Sequence, residues 1–396
     1  MSTVAPIGAA AVHGHRFLLR IGLSLANIFA WVFVFDYFYS LSASVERALI
    51  GTVLLYALSQ LLTFVLTPLS AAHLARGVKQ SIIWGSLACA AAYVFLGAAF
   101  LGLFVEGGVS WGVVAFAVLL GVYRALYWVP YRVALATTHA GGMSAFYEFA
   151  VALMPLFAGL TMLSVPFGAP RILFGAAAFL LLSVGPASLL PMMREKFSWP
   201  YAYTYQQLFR RRNGALVLVA FFDGLQGAAL FLMWPLAVFL ILDWSYAALG
   251  LVGTLTLLSI LLLRRFYARF VSFMRLETSP AVHATFAASG FVARMVAGNP
   301  VGIILADAYS YASLPLKGTT ADPFVFEQAT DKGSFIDEYT TLKELAAAAG
   351  RIALCMTVIA LLLSLPLPFA FAAALAIAAF SAGLSVFLGR VTLTTA

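Results

Sequence analysis

Long apolar runs alternate with short polar interruptions over most of the 396 residues. A helix crossing ~30 Å of hydrocarbon takes about 20 residues. Runs of that length fall at 17–40, 47–71, 80–105, 111–137, 144–166, 170–191, 214–242, 246–268, 277–297, 300–318, 340–364 and 368–390. The pattern predicts an all-α polytopic membrane protein of twelve transmembrane helices. Span nine is the most diluted, by Thr278, Ser279, Pro280, His283 and Arg294. One set of interruptions is short, at 42–46, 106–110, 166–169, 243–245, 298–299 and 366–368, and the other is mostly longer and basic.

The longest connection inside the chain that splits it evenly is 192–213, which carries Phe197, Trp199, Tyr201, Tyr203, Tyr205 and Phe209 among basic residues. Aromatics with Lys and Arg suit the headgroup layer, so this linker is expected to lie along the membrane surface. Pro200 argues against one unbroken helix there. The expected organisation is a tail over 1–16, a six-helix half over 17–191, the linker over 192–213 and a second six-helix half over 214–396. A weak repeat joins the halves. Trp128-Val129-Pro130 resembles Ser313-Leu314-Pro315, and Glu148-Phe149-Ala150-Val151-Ala152 resembles Glu344-Leu345-Ala346-Ala347-Ala348. Paired halves of this kind are a transporter construction.

Composition sharpens this picture. The chain is 63% hydrophobic and 10% charged, with mean hydropathy +0.99; soluble domains carry about 25% charge. Net charge is +8, and its placement explains it. With both termini cytoplasmic, 18 of the 23 Lys and Arg fall on the inner side, and only Arg47 and Arg171 on the outer. Arg124, Arg294 and Arg351 remain within spans. Such a bias is the positive-inside rule, so no nucleic-acid partner is needed to explain the basic balance; the expected location is the cytoplasmic (inner) membrane. No cleavage site follows a short apolar core, so the first run reads as a retained helix. His13 and His15 form a poor metal pair on the tail, and Cys89 and Cys355 read as small hydrophobes in apolar spans. No metal or cofactor is expected. Phosphate-loop, zinc-protease and nucleophile-elbow motifs are missing, so neither ATP use nor enzymatic activity is expected.

Twelve spans, inner termini, a central basic loop and two like halves together resemble the major facilitator superfamily over about Phe17 to Arg390. The family's loop between spans two and three is matched by Arg76, Gly77 and Lys79 in Ala72–Lys79, while its leading Gly and its Asp are replaced. The loop after span eight keeps Arg264, Arg265 and Arg269. The family often has an Arg in span four, where Arg124 stands. The resemblance implies a cavity lined by spans one, four, seven and ten.

Those four spans hold Asp36, Arg124, Asp223 and Asp307 in turn. An ionisable group in a bilayer costs ~2.5–3.5 kcal/mol on insertion scales and normally faces an interior with a partner. Asp36 lies near the outer end of its span. Arg124 does not neutralise by losing its proton, so it should be paired, with Asp223 the first choice and Asp307 or Asp36 the others. On one reading Asp223 and Asp307 bind a proton or cation with Arg124 as counter-charge; on the other the charges form a fixed structural pair. Tyr127, Tyr131, Gln226 and Tyr311 lie beside them, either to stack a solute or simply to pack the bundle. Glu148 and Glu344 each begin a span on the inner face. They are expected either to latch the halves against Arg76, Lys79, Arg265 or Arg269, or only to complement helix N-termini.

The function expected from this reading is secondary active transport of a small organic solute by alternating access, proton-coupled, by a monomer in the lipid bilayer. A non-transporting receptor, regulator or assembly partner on the same scaffold is the alternative, kept open by the altered loop motif.

Overall fold

The computed structural model describes residues 4–104, 108–138, 145–273, 280–312 and 336–395. Its regular elements are helices: α1 (Val4–Ser42), α2 (Val45–His73), α3 (Val78–Phe100), α4 (Gly108–Thr138), α5 (Ala145–Ser164), α6 (Gly168–Ser188), α7 (Tyr201–Leu208), α8 (Gly214–Ala228), α9 (Trp234–Ile241), α10 (Tyr246–Phe273), α11 (Pro280–Val296), α12 (Pro300–Ala312), α13 (Ile336–Ser364) and α14 (Leu367–Thr395). A π-helical turn, Ala229–Met233, joins α8 to α9 in one continuous helical stretch. Among the described residues ten helical stretches are long and apolar enough to cross a membrane. Twelve were expected. The two that fall short are α11, whose apolar part is Ala281–Val296, and α12, with 13 described residues. They correspond to the diluted ninth span and to the tenth, whose predicted end at 313–318 lies outside the described residues.

The first helix corrects the reading of 1–16 as a tail. α1 begins at Val4, and its apolar stretch runs from Gly8 to Ser42, 35 residues. At 1.5 Å per residue this is ~52 Å, longer than the hydrocarbon layer. His15 is buried within it, 1% exposed. Its Nδ1 lies 2.9 Å from the Ser183 carbonyl and its Nε2 lies 3.0 Å from the Tyr127 hydroxyl. A carbonyl only accepts, so Nδ1 carries the proton and Nε2 accepts from the tyrosine. The histidine ties α1 to α4 and α6 and is no tail ligand.

The packing order repeats. Among α1–α6, α1 packs on α5 and α6, α4 packs on α2 and α3, and α3 packs on α6. Among α8–α14 the same five pairings recur: α8 with α13 and α14, α12 with α10 and α11, and α11 with α14. Two more pairings cross between these sets, α2 with α13 and α5 with α10, and they exchange under the same correspondence. Helices approach closely in lipid where side chains are small. At the α5–α10 crossing a Cβ on Gly250 would collide with the Pro155 carbonyl oxygen.

Prolines within helices leave a carbonyl without its donor four residues earlier, and two of these carbonyls find partners elsewhere. Pro155 frees the Val151 carbonyl, which accepts from Ser24 Oγ of α1 at 2.9 Å. The adjacent Leu156 amide donates to Thr254 Oγ1 of α10 at 2.9 Å, across the two sets. Pro68 frees the Phe64 carbonyl of α2, which accepts from Tyr205 of α7 at 3.0 Å. Burial, and then its contact with Tyr201, pushes the Tyr205 phenol above the ordinary tyrosine range, so it remains a donor. The linker is therefore bonded to the bundle. α7 starts immediately after Pro200, as that residue's fixed geometry favours.

Candidate functional site

The face where α1 begins is called proximal here, and the face where it ends distal. At the distal face the two sets touch. Asp36 is exposed and accepts from the Tyr246 hydroxyl of α10 at 2.9 Å. Trp244 lies against Phe35 and Tyr39, with centroids 5.3 and 4.7 Å apart. Asp36 thus stands at the rim, joining the sets, as its place near the span end suggested.

On the proximal side of this closure lies a cavity of about 490 Å³ between the sets. α1 contributes Arg20, Ser24 and Asn27, α5 contributes Val151 and Pro155, and α10 contributes Thr256 and other residues. Phe231, Trp234 and Pro235, from the π-helical turn and α9, line it, and so does Asp307 of α12. Its wall is mostly apolar, with few polar groups, as small-molecule sites are. A π-helical turn in such a wall is common at functional sites.

Asp307 reaches this wall already engaged. Arg294 of α11 is 1% exposed, and its Nε donates to Asp307 Oδ1 at 2.7 Å. Its Nη1 donates to Ser310 Oγ at 2.8 Å. The Trp234 indole donates to the other carboxylate oxygen at 3.0 Å, and the guanidinium lies over the Trp234 and Phe291 rings. The expected partner for Asp307 was Arg124; the partner found is an arginine of its own set, one helix away. The side chain of Tyr311 lies outside the described residues.

Arg124 is not paired with Asp223. Its guanidinium lies over the Tyr56 ring of α2, 5.4 Å from the centroid. Asp223 accepts from Ser385 Oγ of α14 at 2.7 Å and from Gln226 Nε2 at 3.3 Å. The reason is reach. α8 presents Asp223 towards α14, within its own set, while α4 presents Arg124 towards α2. What faces Arg124 across the sets is another arginine. Arg351 of α13 donates from Nη1 to Gln60 Oε1 of α2 at 3.2 Å. Tyr56 and Gln60 are one turn apart on α2, so the two guanidinium groups occupy successive turns of one face. Arg124 lies 15 residues from Val109 and 12 from Ala136; Arg351 lies 14 from Asp337 and 13 from Ser364. Both are at mid-span and both are partly exposed. Tyr127 and Tyr131 are buried and stack at 5.3 Å, inside the first set with His15. They pack the bundle rather than line the cavity just described.

At the proximal face Glu344 does meet an arginine of the other set, but not one of those expected. Arg132 Nη2 of α4 lies 3.8 Å from Glu344 Oε1. Lys79 instead donates to the Ser188 carbonyl at 3.1 Å, and Arg76 and Arg269 are exposed. The side chain of Arg265 lies outside the described residues. Glu148 opens α5 in its first turn, where it complements the helix N-terminus. A second proximal contact joins the linker to α13. Ser198 donates through both N and Oγ to Glu338 Oε1, at 3.0 and 2.7 Å.

Sequence reasoning did not select Arg351, Arg294, Arg132 or Trp234. The signal for the first two was present: both are charges inside apolar spans, and the intramembrane-charge rule applies to them as to the others.

No protein-family model matches the sequence, and no curated protein matches it either. The fold does match solved structures, and those neighbours are transporters of the major facilitator superfamily. The peptide transporter POT superposes with a TM-score of 0.63 at 14% identity, covering 98% of this chain and 94% of that one. The D-xylose-proton symporter gives 0.63 at 14% identity, covering 95% and 96%. The human organic anion transporter MFSD10 gives 0.58 at 15% identity, covering 98% and 100%. The protein is thus an integral membrane protein with a transporter fold, and these neighbours are not enzymes.

Proposed function

We propose that this chain is a secondary active transporter that moves a small organic solute by alternating access, coupled to protons. Two halves, one from α1 to α6 (4–188) and one from α8 to α14 (214–395), rock about a central site, and α11 and α12 complete twelve spans with both termini in the cytoplasm of the inner membrane. The observation that carries this reading is the placement of Arg124, Gln60 and Arg351 at mid-depth, facing one another between the sets. Buried charge is costly and is retained in lipid chiefly along substrate or ion pathways. The distal contacts and the cavity on their proximal side fit a state closed at the distal face. In that state Arg132–Glu344 and Ser198–Glu338 are the proximal contacts that the cycle must break and remake.

The neighbours' solutes are peptides, xylose and organic anions. One fold serves all of them, so the solute must be read from this chain's own groups. For the proton, Asp223 is the carboxylate we assign. It is held by neutral donors, Ser385 and Gln226, and stands within electrostatic reach of Arg351. Proteoliposomes with an imposed pH gradient test this. Asp223→Asn should abolish gradient-driven accumulation of a transported solute and spare its exchange at equal pH. Unchanged gradient-driven uptake by the variant would refute the role of Asp223. Absence of any solute flux, with the protein folded, would favour a receptor or regulator on this scaffold.

A further inference from the structure

The arginine site has donors without acceptors. Each guanidinium offers five N–H groups in a planar fork and keeps its charge at any physiological pH. Arg351 uses one of them on a neutral amide oxygen, Gln60 Oε1, and the polar neighbour of Arg124 is Tyr56, a neutral group over whose ring it lies. Among the described residues no carboxylate oxygen comes within 4 Å of either. The two cations also act on each other electrostatically. The carboxylates within longer reach of Arg351 are committed elsewhere: Asp223 to Ser385 and Gln226, Glu344 to Arg132.

A second, independent observation lies beside them. Among the described residues the buried hydroxyls of Tyr93 on α3 and Tyr123 on α4 have no hydrogen-bond partner. Both tyrosines are electrostatic neighbours of Arg124. A buried hydroxyl left unbonded is costly, so such groups normally meet water or a ligand. Two like charges at mid-membrane, with these hydroxyls beside Arg124, suit a group of negative charge.

We propose that Arg124 and Arg351 together bind an anionic group, a carboxylate or phosphate, of the transported solute. This rests on the transport reading above and names its substrate class. The planar forks suit bidentate contact with such oxygens. The two arginines belong to different helix sets, so one anion between them replaces repulsion by a bridge. It therefore favours the state in which the sets approach at mid-depth, which couples binding to the rocking motion.

The test uses the full chain, purified in detergent, with sodium succinate, sodium benzoate and sodium phosphate as probes. Succinamide, benzamide and sodium chloride at matched ionic strength are the controls. At least one anion at millimolar concentration should raise the melting temperature above its neutral amide or the salt control. Arg351→Gln and Arg124→Gln should each abolish the rise. Arg351→Lys, which keeps charge but loses the fork, should retain part of it, and it serves if a Gln variant fails to fold. No stabilisation by any of the three anions overturns the proposal, as does stabilisation that survives both Gln variants. Which anions act separates carboxylate from phosphate recognition. Proteoliposome uptake then distinguishes the two readings. An anion that binds at these arginines but never crosses the membrane refutes transport and leaves the site. A transported neutral solute without anion binding refutes the site and leaves transport.

Discussion

Removing the Asp307 carboxylate should unsettle the second helix set more than any other single charge deletion near the cavity. Arg294 is 1% exposed and Asp307 8%. Asp307→Ala strands the guanidinium and leaves the Trp234 indole, now bonded at 3.0 Å, without an acceptor. Breaking a buried pair by deleting one partner costs ~3–5 kcal/mol, and an orphaned buried donor ~1–3 kcal/mol. The two effects share a site and do not add fully, so the expected loss is about 4–6 kcal/mol. Asp307→Asn keeps an acceptor oxygen for the indole and should lose less, about 2–3 kcal/mol. The double variant Arg294→Leu with Asp307→Leu removes both charges and should recover to within about 1–2 kcal/mol of the parent. At ~2–4 °C per kcal/mol, Asp307→Ala should melt about 8–24 °C lower. The protein supplies its own reporter, because Cys89 and Cys355 are free and buried. A thiol-reactive fluorophore that lights up on unfolding would give the melting curves of the parent and the three variants. If Asp307→Ala melts with the parent, or the double variant melts as low as the single, the pair does not hold this region together.

The orientation is checked by labelling in intact cells. A cysteine replacing Leu103, exposed at the distal end of α3, should react with an impermeant thiol reagent, whereas one replacing Lys196 in the linker should react only after permeabilisation; the reverse pattern would place the termini outside. The linker clamp is checked by proteolysis. Glu338→Ala deletes the acceptor of both Ser198 bonds, worth about 2–3 kcal/mol for a charged acceptor, so trypsin should cut after Arg194 or Lys196 several-fold faster; equal rates would show that other contacts hold the linker.

The hydrophobic pattern by itself determined that this chain lives in a membrane and nearly where each helix lies. A span must satisfy its backbone internally and present some twenty apolar residues, and that constraint is written in one dimension. It placed α2 to α6, the α8–α9 stretch, α10, α13 and α14 within a few residues, apart from the longer run of α10. It also placed a linker broken at Pro200. The same rule flagged Arg124, Asp223 and Asp307 as charges needing an interior. It did not decide who meets whom. Partner choice depends on which way each helix turns its face, and a side chain near Arg124 in depth can point to another neighbour. So Asp307 found Arg294 in its own set, Asp223 found Ser385, and Glu344 found Arg132. Arg351 lies outside the four spans expected to line the cavity, yet α13 crosses α2 closely enough to carry a charge to the same depth. His15 looked like part of a tail because polarity near a terminus is ambiguous; only the packing of α1 on α6 showed its ring between a carbonyl and a tyrosine. Sequence fixes which groups are too costly to leave in lipid, and tertiary packing, through helix rotation and crossing, decides which of them remain unpaired and so available to a ligand.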